Sequence, residues 1–449
     1  MIKHRYICNT IILSVLIFGL ISIVPGKGHA EEPIPIDHKM KTAIIDSVTA
    51  TINDVYIFPE IGYKLEKYLK GNLKAGKYDQ FTELAPFVEQ LKTEFFEVGQ
   101  DRHLRVFSLS REFCGKFSNN EEAKEYFDNS YFEDMTEDHG FKRVEILPGN
   151  VGYVDLQDFL MGGNEYESVA AAMTLLSGCD AIILDLRKNG GGDGNVVAFL
   201  SSYFFEERSR LNDVYIRKTD SVEQYWTFPV PGAGPLYDKD LYVLIGYATF
   251  SAAEDFAYAM QAQKRATIIG EKTRGGGHPI EMFCFVNMYV SIDVPNASSI
   301  NSITGGNWEG VGVAPDIEVP FEETFDFAYR KALETLLEKA DNDESRSKIN
   351  WAISGLTMKQ NPVEVGADLL QKYAGDYGER KIIYRDGHIY YQRNDKSTFR
   401  LYPMSETVFG FIDWDDARIE FVGDEKGAVT EFQLQMPDGR RGVHERSGD

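Results

Sequence analysis

From residue 144 onward the chain alternates short apolar runs with runs of helical period, and this alternation most narrows what it can fold into. NVGYVDLQDF is followed by YESVAAAMTLLSG, DAIILDLRKNGGG, GNVVAFLSSYFF, LYVLIGYATF, SAAEDFAYAMQ and ATIIGEK. Runs such as AIILDL and YVLIG are apolar at consecutive positions and therefore on both faces of a strand, which suits a sheet covered by helices on each side. The expectation is an α/β core. FCFVNMYVSIDVP then reads as antiparallel β structure, VGVAPDIEV as a short terminal strand, and FEETFDFAYRKALETLLEKA as a closing helix.

The flanks differ in texture. MKTAIIDSVTATIND, IGYKLEKYLKGNL and FTELAPFVEQLKTEFFEV carry apolar residues at helical spacing, so three amphipathic helices in a row are expected over residues 31–100. A bridging segment follows, with DRHLRVFSLS, a short helix near EEAKEYF and an acidic loop at FEDMTEDHG. Beyond residue 359 short strands and turn residues take over, and Asp386-Gly387 joins two alternating runs as a hairpin turn would. A separate β domain is expected over residues 360–449.

The N-terminus bounds where the chain works. MIKHR is basic, residues 11–24 are apolar, and GKGHA ends in small residues, the layout of a signal peptide cleaved near Ala30. An apolar run of about 14 residues is shorter than the roughly 20 that a spanning helix needs, so no stable membrane span is expected. The mature chain is then exported, to a periplasm or the extracellular space. With 47 basic against 70 acidic side chains, the formal charge of −23 repels phosphate backbones and excludes nucleic acid as a partner. Cys114, Cys179 and Cys284 are far apart with no C-x-x-C pair, which leaves no zinc framework and favours buried free thiols over a disulfide.

Three features can carry chemistry. Ser251 stands between LYVLIGYATF and SAAEDFAYAMQAQ, a strand-to-helix junction where a hydroxyl is presented at the sheet edge and the helix N-terminus supplies free N–H groups for a developing oxyanion. The same position suits an N-cap, with Glu254 completing a capping box. The run Asn189 to Gly194 follows a buried strand, and its glycines permit positive φ and close backbone approach; an oxyanion hole, a phosphate cradle and a tight turn all fit, although the run lacks the ending of a P-loop. His103 in DRHLRV is a base for a serine hydroxyl or a structural imidazole, with His278 in GGGHP its rival in the α/β region.

AIILDLRKNGGGDG, TFSAAEDF, KRATIIGEKTRGGGHP and EGVGVAPDIEV occur in the order and spacing of the tail-specific, or C-terminal processing, serine peptidases and their tricorn-core relatives. Over residues 40–340 the chain resembles that superfamily. It departs in two respects. GEKTRGGG places Gly276 where the processing peptidases carry the lysine of a Ser-Lys dyad, and the stretch 104–149 is too short for their PDZ domain. The pattern is more similar to the branch of interphotoreceptor retinoid-binding protein modules and tricorn-type cores.

The resemblance implies a ClpP/crotonase-like ββα spiral for a catalytic domain at residues 101–345, and a lipocalin-like or sandwich β domain after it. It implies Ser251 as nucleophile, His103 as base, Glu309 as the group that orients the histidine, and an oxyanion hole from Ala252 with Gly191 or Gly192. The expected activity is hydrolysis of extracytoplasmic polypeptides through an acyl-enzyme, without metal or cofactor. A hydrophobic-ligand module of the retinoid-binding type and an esterase or amidase are the alternatives. No oligomeric state is implied.

Overall fold

The computed structural model describes residues 32–129, 140–160, 165–230, 236–361, 363–394 and 396–447. The expected signal peptide and most of the acidic loop, residues 130–139, lie outside them. Among the described residues no helix is long and apolar enough to cross a membrane. The chain divides into two compact units, one of residues 1–145, 153–178 and 182–324, the other of residues 146–152, 179–181 and 325–449.

The first unit is mixed α/β. Its six-stranded sheet runs in the order Ile317–Glu318, Thr267–Gly270, Asp240–Ile245, Ala181–Asp185, Val151–Leu156, Phe141–Leu147. Ala181–Asp185 is buried at every position, and Asp240–Ile245 at all but its first, as apolar runs on both faces demand. Thr267–Gly270 pairs in parallel with both of its neighbours.

Three helices, His38–Val55, Pro59–Lys74 and Leu84–Gly99, precede this core. Asp37 caps the first by accepting from Met40 N at 2.7 Å, and Pro59 opens the second, where no amide bond is lost. Their buried faces form one cluster with Leu104, Val106, Val290, Ile292 and Val294. The helices therefore share a core with an antiparallel sheet ordered Arg105–Ser108, Val290–Pro295, Ile280–Phe285. Leu104 and Val106 are fixed in that core, and so is the entry to the strand on which His103 stands. Cys114, Cys179 and Cys284 are buried.

The second unit ends in eight antiparallel strands paired in sequence order from Gly375–Tyr377 to Arg441–Glu445. Ser447 N donates to Asp376 O at 2.8 Å, so the chain leaving the last strand returns to the first and the meander is nearly a barrel. Its interior is aromatic, with Phe409, Phe421 and Phe432 packed around Tyr373 and Tyr377. This single winding sheet has the form of the lipocalin-like arrangement rather than of two stacked sheets.

Candidate active site

Ser251 directly precedes the helix Ala252–Ala262 and has φ 54° and ψ −118°. A side chain with Cβ rarely holds that conformation, which costs on the order of 1–3 kcal/mol and persists only where the surroundings impose it. The residue is 2% exposed, and its Oγ has no hydrogen-bond partner among the described residues. Ser251 and Glu254 have the layout of a capping box, but only the Glu254 half is a formed hydrogen bond, Oε2 accepting from the Ser251 amide at 2.8 Å, while Ser251 Oγ makes none.

Glu254 does more than a cap requires. It is fully buried, and besides Ser251 N it accepts from Gly276 N at 2.8 Å, from Gly275 N at 2.7 Å and from the Thr273 hydroxyl. Burial pushes its carboxyl above the ordinary range, while the hydroxyl and amide donors hold it down. One carboxylate thus ties the loop of residues 273–277 to the residue that opens the helix.

The glycine run meets the same place. Phe250 N donates to Asn189 O at 3.0 Å and Thr249 Oγ1 to Leu186 O at 2.7 Å, so the loop before Ser251 is sewn to the end of Ala181–Asp185. Gly191 and Gly192 have φ 117° and 133°, and a Cβ on Gly192 would lie 1.9 Å from Phe159 O, so only glycine fits. The Gly191 amide is engaged, donating to Asn189 Oδ1 at 2.8 Å.

His103 is completely buried, with its ring stacked on Phe250 at 4.8 Å between centroids and 22° between planes. A Cβ on Gly276 would lie 2.5 Å from His103 Cε1 and equally close to the Phe250 ring, so the imidazole fills the space that a side chain at 276 would need. His103 thus packs on Phe250, the residue before Ser251, and against Gly276, whose amide is held by the same Glu254 oxygen as the Ser251 amide. Burial pushes the His103 pKa well below the ordinary imidazole value against the attraction of Asp101, which leaves the ring neutral at physiological pH.

Glu309 Oε2 lies 4.0 Å from His103 Nδ1 and 3.4 Å from His278 Nδ1, and accepts from Gly277 N at 2.6 Å. Burial raises its carboxyl, with His278 opposing. The site also gathers residues that sequence reasoning did not assign to it. Asp101, two positions before His103, accepts from His103 N at 2.9 Å, from the Tyr56 hydroxyl at 3.1 Å and from His278 Nδ1 at 3.1 Å. Burial alone would raise Asp101, but the His278 hydrogen bond and charge bring it below its usual value. The converse holds for His278, whose burial is outweighed by Asp101 and Glu309 so that its pKa rises.

Arg274 completes the surroundings, its guanidinium 4.3 Å over the Phe250 ring. The arrangement combines a strained serine at a helix N-terminus, a neutral buried imidazole, a carboxylate on its Nδ1 side and a glycine loop, which together are parts for acyl transfer.

Residues 150–319 match the family model described as peptidase family S41. Ser251, Glu254, Ala252, both loop glycines, His278 and Glu309 fall inside the match, and His103 and Asp101 precede it. The chain is 36% identical over 133 residues to a carboxyl-terminal-processing protease of Synechocystis, 29% of each protein. It is 28% identical over 241 residues to the carboxyl-terminal-processing protease of Picosynechococcus, 50% of this chain and 51% of that one. The matches thus span about half of one of those relatives and less than a third of the other. A crystal structure of a putative peptidase from Parabacteroides merdae aligns with TM-score 0.44 and 18% identity, covering 63% of this chain and 90% of that one.

Proposed function

From the premise that residues 150–319 are a peptidase family S41 domain, we propose that the chain is an exported serine peptidase that cleaves polypeptides with Ser251, His103 and Glu309. The observation that carries the reading is the backbone of Ser251, held at φ 54° where the helix Ala252–Ala262 begins. Strain of this kind serves to present a hydroxyl, as in a nucleophile elbow, and has no use in a helix cap.

Glu309 approaches His103 from the Nδ1 side. A proton on Nδ1 leaves Nε2 as the acceptor for the Ser251 hydroxyl proton, and a carboxylate that closes from 4.0 Å to hydrogen-bond distance on that side favours this basic tautomer. Ser251 Oγ then attacks the scissile carbonyl and the negative charge moves to the carbonyl oxygen. With the Gly191 amide engaged by Asn189, the oxyanion donors are Ala252 N–H and Gly192 N–H, reinforced by the helix dipole. His103 returns its proton to the leaving amine, giving an acyl-enzyme, and water activated by the same imidazole releases the acyl product.

The test is labelling of the purified protein by a small alkyl fluorophosphonate, suited to a serine that is 2% exposed. Wild type is expected to label at Ser251, and Ser251→Ala not at all. His103→Ala should lose on the order of 10⁴-fold in rate and Glu309→Ala at least about tenfold. A protein that folds normally and never labels would end the triad assignment and favour a hydrophobic-ligand module.

A further inference from the structure

We propose that Asp101, His278 and Glu309 form a binding site for one divalent transition-metal ion of the zinc class, and that the ion silences the proposed peptidase when it binds. The effect on activity rests on the serine-peptidase reading above; the site itself does not.

The donors are already spaced for a metal. His278 Nδ1 stands 3.1 Å from Asp101 Oδ2 and 3.4 Å from Glu309 Oε2, and all three atoms lie within 4.8 Å of one another. In a tetrahedral zinc site with ligand distances of about 2.0–2.1 Å, neighbouring donors sit roughly 3.3 Å apart. Two edges of the triangle therefore match before any ion arrives, and the third closes by a side-chain adjustment. One imidazole and two carboxylates are zinc-class donors; calcium would ask for six or more oxygens.

The donors are also held from behind, as metal ligands require. Asp101 receives His103 N on Oδ1 and the Tyr56 hydroxyl on Oδ2. Glu309 Oε2 receives Gly277 N at 2.6 Å, and the Phe58 ring sets its edge against the His278 ring at 5.3 Å. Asp101 and His278 are each 4% exposed. Three segments far apart in sequence converge there, so an ion would clip them together.

Inhibition follows from what the ion would take. Glu309 Oε2 is the oxygen that faces His103 Nδ1 at 4.0 Å. Bound to a metal, that oxygen is withdrawn from the side of the imidazole it faces, and a divalent charge stands beside His103 where proton transfer must place positive charge. Without the ion, His278 Nδ1 hydrogen-bonds Asp101 Oδ2 and lies 3.4 Å from Glu309 Oε2, and the site is free to work.

Binding is measured first on the full chain carrying Ser251→Ala, by calorimetric titration with zinc chloride and by the visible absorption of cobalt(II) as a tetrahedral probe. One zinc per chain with micromolar or tighter affinity is expected, weakened at least about 100-fold by His278→Ala and separately by Asp101→Asn, with circular dichroism confirming that each variant is folded. In the wild type, zinc should slow fluorophosphonate labelling at least about tenfold, and EDTA should restore it. No zinc bound below about 100 µM, or binding unchanged in both folded variants, overturns the proposal. Because the binding arm uses a chain without the serine, it stands even if no labelling is ever seen. Unaltered labelling in a wild type shown to hold zinc overturns the inhibitory half.

Discussion

At the residue scale, Ser251 carries two costs that its substitution removes. Its φ of 54° and ψ of −118° are strained for any side chain with Cβ, and its buried Oγ has no partner among the described residues. Ser251→Ala deletes the orphaned hydroxyl and should raise stability by about 1 kcal/mol in denaturant titration, while abolishing labelling. Ser251→Gly also relieves the backbone, and after the entropy that glycine adds to the unfolded chain it too should exceed wild type. If both variants prove less stable, the strain is not what the surroundings impose. Gly276 makes the opposite case. Its missing Cβ leaves room for His103 and Phe250, so Gly276→Ala should cut the labelling rate about 100-fold or more by displacing the imidazole, at a stability cost of about 1–3 kcal/mol for the overpacking.

At the element scale, the helix Ala252–Ala262 is set by two carboxylates that follow the serine. Glu254 holds three backbone amides and the Thr273 hydroxyl, and Glu254→Ala would orphan all four in a buried place, so a loss on the order of 4 kcal/mol is expected. Asp255, partly buried beside Asn212 Nδ2 at 3.0 Å, is pushed by burial up to about 7. Its unfolded value lies near 3.9, so between about pH 4 and 7 the native state holds the extra proton and stability falls as pH rises. Asp255→Asn should flatten that slope and raise the melting temperature at pH 8, with little change at pH 4. Elements of this kind were readable where periodicity and turn chemistry act locally. AIILDL became a fully buried strand, and Asp386-Gly387 joins strands in the register Arg385↔His388 with φ 53° and 77°. The Glu254 hub was only half visible, because a capping box announces itself three residues away while its other donors lie 19 to 22 residues on. Asp101 and His278 are 177 residues apart, and nothing in the spacing of either could announce a contact made only by folding.

At the scale of the whole molecule, each of the two units holds a hydrophobic cluster that shares no residue with the other's. One cluster joins the three leading helices to Val106, Val290, Ile292 and Val294 in the first unit, and another lines the eight-stranded sheet in the second around Phe409, Phe421 and Phe432. A chain built this way need not melt as one body, since two-state behaviour belongs to single domains with a common core. Scanning calorimetry of the full chain is expected to resolve two transitions, and core substitutions assign them. Glu254→Ala, in the first unit, should lower one transition and leave the other in place. Phe432→Ala, fully buried in the second, should cost about 3–5 kcal/mol and do the reverse. Zinc at Asp101, His278 and Glu309 should raise only the transition that Glu254→Ala lowers, because a ligand stabilises the unit that folds its site. A single transition that moves with both substitutions would instead show that the two cores are coupled as one cooperative structure.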